Sequence, residues 1–155
     1  MNLANKISIA SAIALFASAA VAADPIISMT SSLSKSDRAS LLSHRGTPAS
    51  VSYELDFVAG EKGAAVVQFD VVLKGDPTID LSKCGGTTVA GSDHLVFCRQ
   101  IAPDRVRVLV DSPTNAVVPT SSFGTIIVSG GNASIDRGSV VVGDPQAMSM
   151  TVEVL

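Results

Sequence analysis

Apolar residues recur at every second position along most of this chain, and that period decides what it can fold into. Val51, Tyr53, Leu55 and Phe57 alternate with Ser52, Glu54 and Asp56. Val67, Phe69, Val71 and Leu73 alternate with Gln68, Asp70, Val72 and Lys74. Val106, Val108 and Val110 alternate with Arg105, Arg107, Leu109 and Asp111. Met148, Met150, Val152 and Val154 alternate with Ser149, Thr151 and Glu153. Successive side chains of a strand point to opposite faces, so each segment turns one face to a core and the other to water. Such half-buried strands pair antiparallel as a rule. Ile26, Ile27 and Met29, the run 78–81, the run 94–98, the run 123–128 and the run 139–142 add shorter apolar segments.

Turn chemistry separates the strands. Gly60-Glu61-Lys62-Gly63 reads as a hairpin or a short connection, and Cys84-Gly85-Gly86, Ser112-Pro113-Thr114-Asn115 and Gly130-Gly131-Asn132 read as breaks. Gly-Asp-Pro occurs at 75–77 and again at 143–145, each time ahead of a strand-like run. Proline cannot donate to a ladder, so it suits the first residues of a strand. The stretch 34–44 matches a 3.6-residue period poorly and reads as a polar loop or one or two turns. About nine short strands with regular turns predict an all-β fold, an antiparallel β-sandwich. Its last strand is expected to run to Leu155.

The first 23 residues follow a different logic. Lys6 precedes an apolar run from Ile7 to Val21, and small residues close it: the pattern of a secretory signal peptide. Ala20-Val21-Ala22 and Val21-Ala22-Ala23 both fit a peptidase, so the mature chain is expected to begin at Ala23 or Asp24. Residues 24–155 then form one domain, secreted or periplasmic. The leader takes one of the 11 basic residues and none of the 14 acidic ones, which leaves a net charge of −4. An acidic surface argues against nucleic acid. No segment after the leader is long and apolar enough to span a membrane.

Compartment also bears on the two cysteines, Cys84 and Cys98. In an oxidising space they are expected to pair, and their spacing fits neither C-x-x-C nor a zinc knuckle. Closing a loop of this length restricts the unfolded chain by ~3 kcal/mol.

Catalytic patterns are missing. Ser92, Asp93 and His94 are consecutive, and consecutive strand residues face opposite ways, so they cannot relay a proton as a triad. There is no G-x-S-x-G, no H-E-x-x-H and no phosphate-binding glycine loop. The expectation is a protein without enzymatic activity and without a cofactor. Calcium held by Asp76, Asp80, Asp136 and Asp144 is the one metal reading; solvated loop aspartates are the simpler account. Asn132-Ala133-Ser134 is a formal glycosylation sequon. Arg99, Arg105 and Arg107 are the one local excess of positive charge. Arg105 and Arg107 share the outward phase of one strand and form the expected contact surface for carboxylates of a partner.

Three stretches carry a family resemblance. Val58-Ala59-Gly60-Glu61-Lys62-Gly63 leads into the strand 66–73. Residues 106–119 form a strand that ends in a small polar turn with Asn115-Ala116, followed by an apolar-Pro step at Val118-Pro119. Phe123-Gly124-Thr125-Ile126-Ile127-Val128 is the strand after it. Together they resemble the cohesin and carbohydrate-binding-module superfamily of secreted β-sandwiches. The resemblance implies a nine-stranded, jelly-roll-like sandwich that binds a protein partner or a polysaccharide. The cysteine pair and a polar insert at 31–50 depart from cellulosomal cohesins. Polysaccharide strips need exposed rings. Trp is absent, and Tyr53, Phe57 and Phe69 fall in core phase, so a flat aromatic platform is not expected. The alternative is a surface or fimbrial-type subunit that assembles by strand exchange at an open sheet edge.

Overall fold

The computed structural model of the chain describes residues 23–33, 50–86, 89 and 92–155. Residues 1–22 of the leader and the polar stretch 34–44 lie outside the described residues. Seven strands form: β1 (Ile26–Leu33), β2 (Ser50–Val58), β3 (Val66–Cys84), β4 (Leu95–Ala102), β5 (Arg105–Asp111), β6 (Ser121–Gly143) and β7 (Glu153–Val154). Their order is β4-β5-β3-β6-β2-β1-β7. Every pairing is antiparallel except β1 with β7, which is parallel, with Ile26 opposite Glu153 and Ile27 opposite Val154. That one short pairing makes the otherwise antiparallel sheet mixed.

The two long strands make the architecture. β3 and β6 run together as one ribbon that bends halfway. Residues 66–75 pair with 131–143, the register slips between Gly75 and Thr78, and residues 78–84 pair with 124–129. The first half of the ribbon carries β5 and β4 on one side. The second half carries β2, β1 and β7. Two layers result, and both share the ribbon. Counted by segment, the bent strands bring seven continuous strands to the nine expected.

Gly130 and Gly131 therefore bend a strand rather than end one. Gly75 and Gly130 both have positive φ, 97° and 80°, at the crease. A Cβ on Gly75 would lie 3.1 Å from the Gly130 carbonyl oxygen, so a side chain there would force the paired backbone to shift by a few tenths of an ångström. The connection at 60–63 is short, as expected, but it carries the chain from one layer to the other.

Inward-phase residues fill the space between the layers as one cluster. Leu55, Val67, Phe69, Val71, Val106, Val108, Val110 and Ile126 are fully buried. Phe57 and Phe123 stack with ring centroids 5.6 Å apart. Tyr53 is buried, and its hydroxyl crosses to the other layer to accept the Ala133 N–H at 3.1 Å. A buried phenol needs such a partner. The Cys84–Cys98 disulfide closes as expected, Cα to Cα 5.6 Å, and it ties the end of β3 to β4 across the layers. Just past it, the Gly86 N–H donates to the Val96 carbonyl at 2.7 Å. The bonded segment thus lies along the free edge of β4. Gly85, φ 89°, approaches so closely that a Cβ would sit 2.7 Å from the Cys98 nitrogen.

The last expected strand is shorter than its alternation suggests. The Asp144 carboxylate accepts the N–H groups of Gln146 and Met148 and closes a turn. The chain then folds back, with the Met150 N–H on the Val142 carbonyl at 2.8 Å. Met148, expected in core phase, sits at that turn and is 65% exposed. Only Glu153 and Val154 remain to pair as β7.

Candidate binding face

Because Val106, Val108 and Val110 point inward, their neighbours on β5 point out. The same holds for Gln68 and Asp70 on β3 and for Phe97 and Arg99 on β4. The registers line these outward residues up in rows. Phe97 lies opposite Leu109, Leu109 opposite Gln68, and Gln68 opposite Val141. Phe97 is 48% exposed and Val141 52%. This row is a largely apolar band across four strands, and Leu95 and Ile101 on β4 extend it, both exposed.

The adjacent row is charged: Arg99, Arg107, Asp70, Asp136. Asp70 is on the outward phase, yet it is only 3% exposed. Two guanidinium groups cover it. Arg107 donates from Nε to Oδ1 at 2.8 Å and from Nη2 to Oδ2 at 3.1 Å. Arg105 donates from Nη1 to Asp70 Oδ2 at 3.1 Å and to Asp136 Oδ2 at 2.8 Å. The hydrogen bonds from Arg107, then those from Arg105, hold the Asp70 carboxyl below the usual aspartate range and outweigh the opposing effect of burial. Both guanidinium groups are pushed higher in turn.

Arg105 and Arg107 do share one face, as expected. What the sequence could not reveal is that their donors are already given to carboxylates of the same molecule. Among the described residues Arg99 has no carboxylate partner. It borders a groove of about 350 Å³ lined by Phe97, Arg99, Ile101, Arg107 and Leu109. Nothing in the sequence marks Asp70, Phe97 and Val141 as site residues, and it offers Asp136 only as a calcium ligand. Alternation gives their face, but only the register gives their neighbours.

The Ser92-Asp93-His94 stretch is structural. His94 is fully buried, and its Nε2–H donates to the Ala116 carbonyl at 2.8 Å. Among the described residues Nδ1 has no hydrogen-bond partner and lies 3.8 Å from Asp93 Oδ1. Asp93 instead accepts the hydroxyls of Ser112 at 2.9 Å and Thr114 at 2.5 Å. Ser92 donates to the Val89 carbonyl at 3.0 Å. These bonds fasten the 112–116 turn to the start of β4.

The four aspartates weighed for calcium are dispersed. Asp136 is bound to Arg105, Asp80 accepts the Ser82 N–H, Asp144 closes its own turn, and Asp76 is exposed. Among the described residues no three acidic, His or Cys side chains gather as a metal group. No described helix is long and apolar enough to cross a membrane.

No protein-family model matches the chain, and no curated protein sequence does. Solved structures do. CaCohA2 of Clostridium acetobutylicum, solved in complex with CaDoc0917, superposes with a TM-score of 0.59 at 11% identity, over 84% of this chain and 94% of that one. The sixth cohesin of Acetivibrio cellulolyticus scaffoldin B, solved with the Cel5 dockerin, gives 0.58 at 14% identity over 86% and 95%. The fold is that of cohesin modules. A non-cellulosomal cohesin of the archaeon Archaeoglobus fulgidus adds 0.55 at 10% identity over 85% and 86%. The cohesin likeness holds over nearly the full length of each neighbour. At these identities it is a likeness of fold, so the face above stands on this chain's own residues.

Proposed function

We propose that this chain is an exported, non-catalytic protein-binding module that seats its partner on the outer face of the β4-β5-β3-β6 layer. The carrying observation is the apolar band from Phe97 through Leu109 to Val141. Large side chains half out of water, aligned on one rigid face and bordered by charge, mark an interaction surface. Two cohesins of the same fold are solved in complexes, one of them with a dockerin. A protein partner fits better than a polysaccharide, because Phe97 is the one exposed ring on the face and Tyr53 is enclosed in the core. Export is supported by the leader and by the disulfide. Strand exchange is less well supported. The Gly86 and Val89 N–H groups occupy the Val96 and His94 carbonyls at the start of β4, and β6 at the other edge of that layer bulges, four residues (137–140) standing opposite Phe69 alone.

The test immobilises the exported chain and recovers its partner from proteins of the same compartment. Proteins held by the wild type should be lost with Phe97→Asp and retained with Lys83→Ala, which lies on the other layer. One buried anchor is worth about 2 kcal/mol or more, so affinity should drop at least about 30-fold. Equal retention by both variants overturns the face, and strong retention on microcrystalline cellulose overturns the preference for protein.

A further inference from the structure

We infer that the partner element seated beside Phe97 carries an acidic side chain flanked by apolar ones, and that its carboxylate pairs with Arg99. The inference rests on the docking face proposed above and deepens it. The charged row and its neighbour Arg105 supply three guanidinium groups against two carboxylates. Asp70 is shared by Arg105 and Arg107, and Asp136 takes Arg105. Within this row, and among the described residues, one cation is left over. That cation is Arg99, set directly opposite Arg107 on the neighbouring strand. Arg107 is already engaged by Asp70, so a carboxylate arriving at this row finds the Arg99 guanidinium uncommitted.

Position narrows the ligand further. Phe97 and Ile101 stand two residues to either side of Arg99 on the same strand, and Leu109 and Arg107 close the groove. An anion reaching the guanidinium must bring apolar surface to cover those side chains, or they stay in contact with water. A carboxylate of Asp or Glu beside Leu, Ile or Phe meets both demands, and the planar fork of Arg matches a carboxylate with two parallel hydrogen bonds. An acidic glycan offers the charge but lays hydroxyls on Phe97, Ile101 and Leu109. Closure of the groove by the partner removes water and strengthens the pair.

A phage-displayed library of random 16-residue peptides, selected on the full exported chain, tests this. The enriched peptides should place Asp or Glu within a few residues of an aliphatic or aromatic residue. Their binding should vanish with Phe97→Asp, fall at least about tenfold with Arg99→Gln, and weaken as salt is raised. Converting the peptide's own acid to its amide should cost wild-type protein the same factor, which keeps the test valid if Arg99→Gln perturbs the fold. Neutral or basic peptides that need Phe97 but ignore Arg99 overturn the acidic partner and leave the docking face intact. Peptides indifferent to Phe97, or no enrichment at all, overturn both. Displacement of the peptides by oligogalacturonate in an Arg99-dependent manner overturns the choice of a protein ligand.

Discussion

Asp70 shows how much one side chain's surroundings matter. It lies on the outward phase of β3 but is covered by Arg105 and Arg107, so its charge is both buried and satisfied. Asp70→Ala leaves Arg107 without its carboxylate beside Arg105, which keeps Asp136. The cost should be about 2–3 kcal/mol in urea denaturation, below the figure for a fully buried pair because both arginines remain partly exposed. Arg99→Ala, which breaks no internal pair, should cost under ~0.5 kcal/mol. The pH dependence follows from the sign of the shift. Asp70 is held lower in the folded protein than the usual aspartate value of about 3.9. Its contribution is complete above that value and is lost as the pH falls through the lowered folded one. Asp93, lowered by the hydroxyls of Thr114 and Ser112, acts in the same direction, and Asp56, raised by burial and by Glu54, opposes it. The comparison that isolates Asp70 is therefore wild type against Asp70→Asn: the wild type should lose its advantage below pH 4. A constant difference from pH 7 to pH 2 would mean that the pair contributes nothing. None of this is readable from the chain order, because Asp70 and Arg107 are 37 residues apart and meet only through the β3–β5 register.

At the scale of a strand, alternation carries most of the information. The inward phases of β2, β3 and β5 were legible because the side-chain period of a strand is two and a slip of one would expose every apolar residue. Phe69→Ala should thus cost ~3–5 kcal/mol, and Gln68→Ala under ~0.5 kcal/mol, in equilibrium unfolding. Equal costs would mean that the phase of β3 is misassigned. What alternation does not contain is where a strand bends. Gly75-Asp76-Pro77 and Gly130-Gly131 look like breaks, because glycine and proline end most strands; here they let two paired strands crease together. Gly75→Ala should cost about 1–3 kcal/mol, since its positive φ is a glycine conformation and the Gly130 carbonyl would have to give way. A neutral result by thermal unfolding would mean the crease relaxes freely. Met148 fails for a related reason: its period continues into a turn that the Asp144 side chain has closed.

For the whole molecule, the disulfide is a clasp between layers rather than a staple within one. Replacing Cys84 and Cys98 together with Ala should lower stability by about 2–4 kcal/mol and leave the far-ultraviolet spectrum unchanged. The Gly86 amide should also gain hydrogen exchange, since its bond to the Val96 carbonyl is then less firmly held. The candidate face was only half legible. The outward phase of Arg105 and Arg107 could be read, but their internal partners, and the assembly of Phe97, Leu109 and Val141 from three strands, could not. The creased ribbon has one more consequence. Because β3 and β6 each belong to both layers, no division of the chain yields a self-sufficient half. A cut at Ser112-Pro113-Thr114-Asn115 puts one strand of the ribbon in each piece, and neither piece alone can close either layer. Mixed together, the two fragments should find each other and restore the native spectrum, a reconstitution driven by the longest pairing in the molecule.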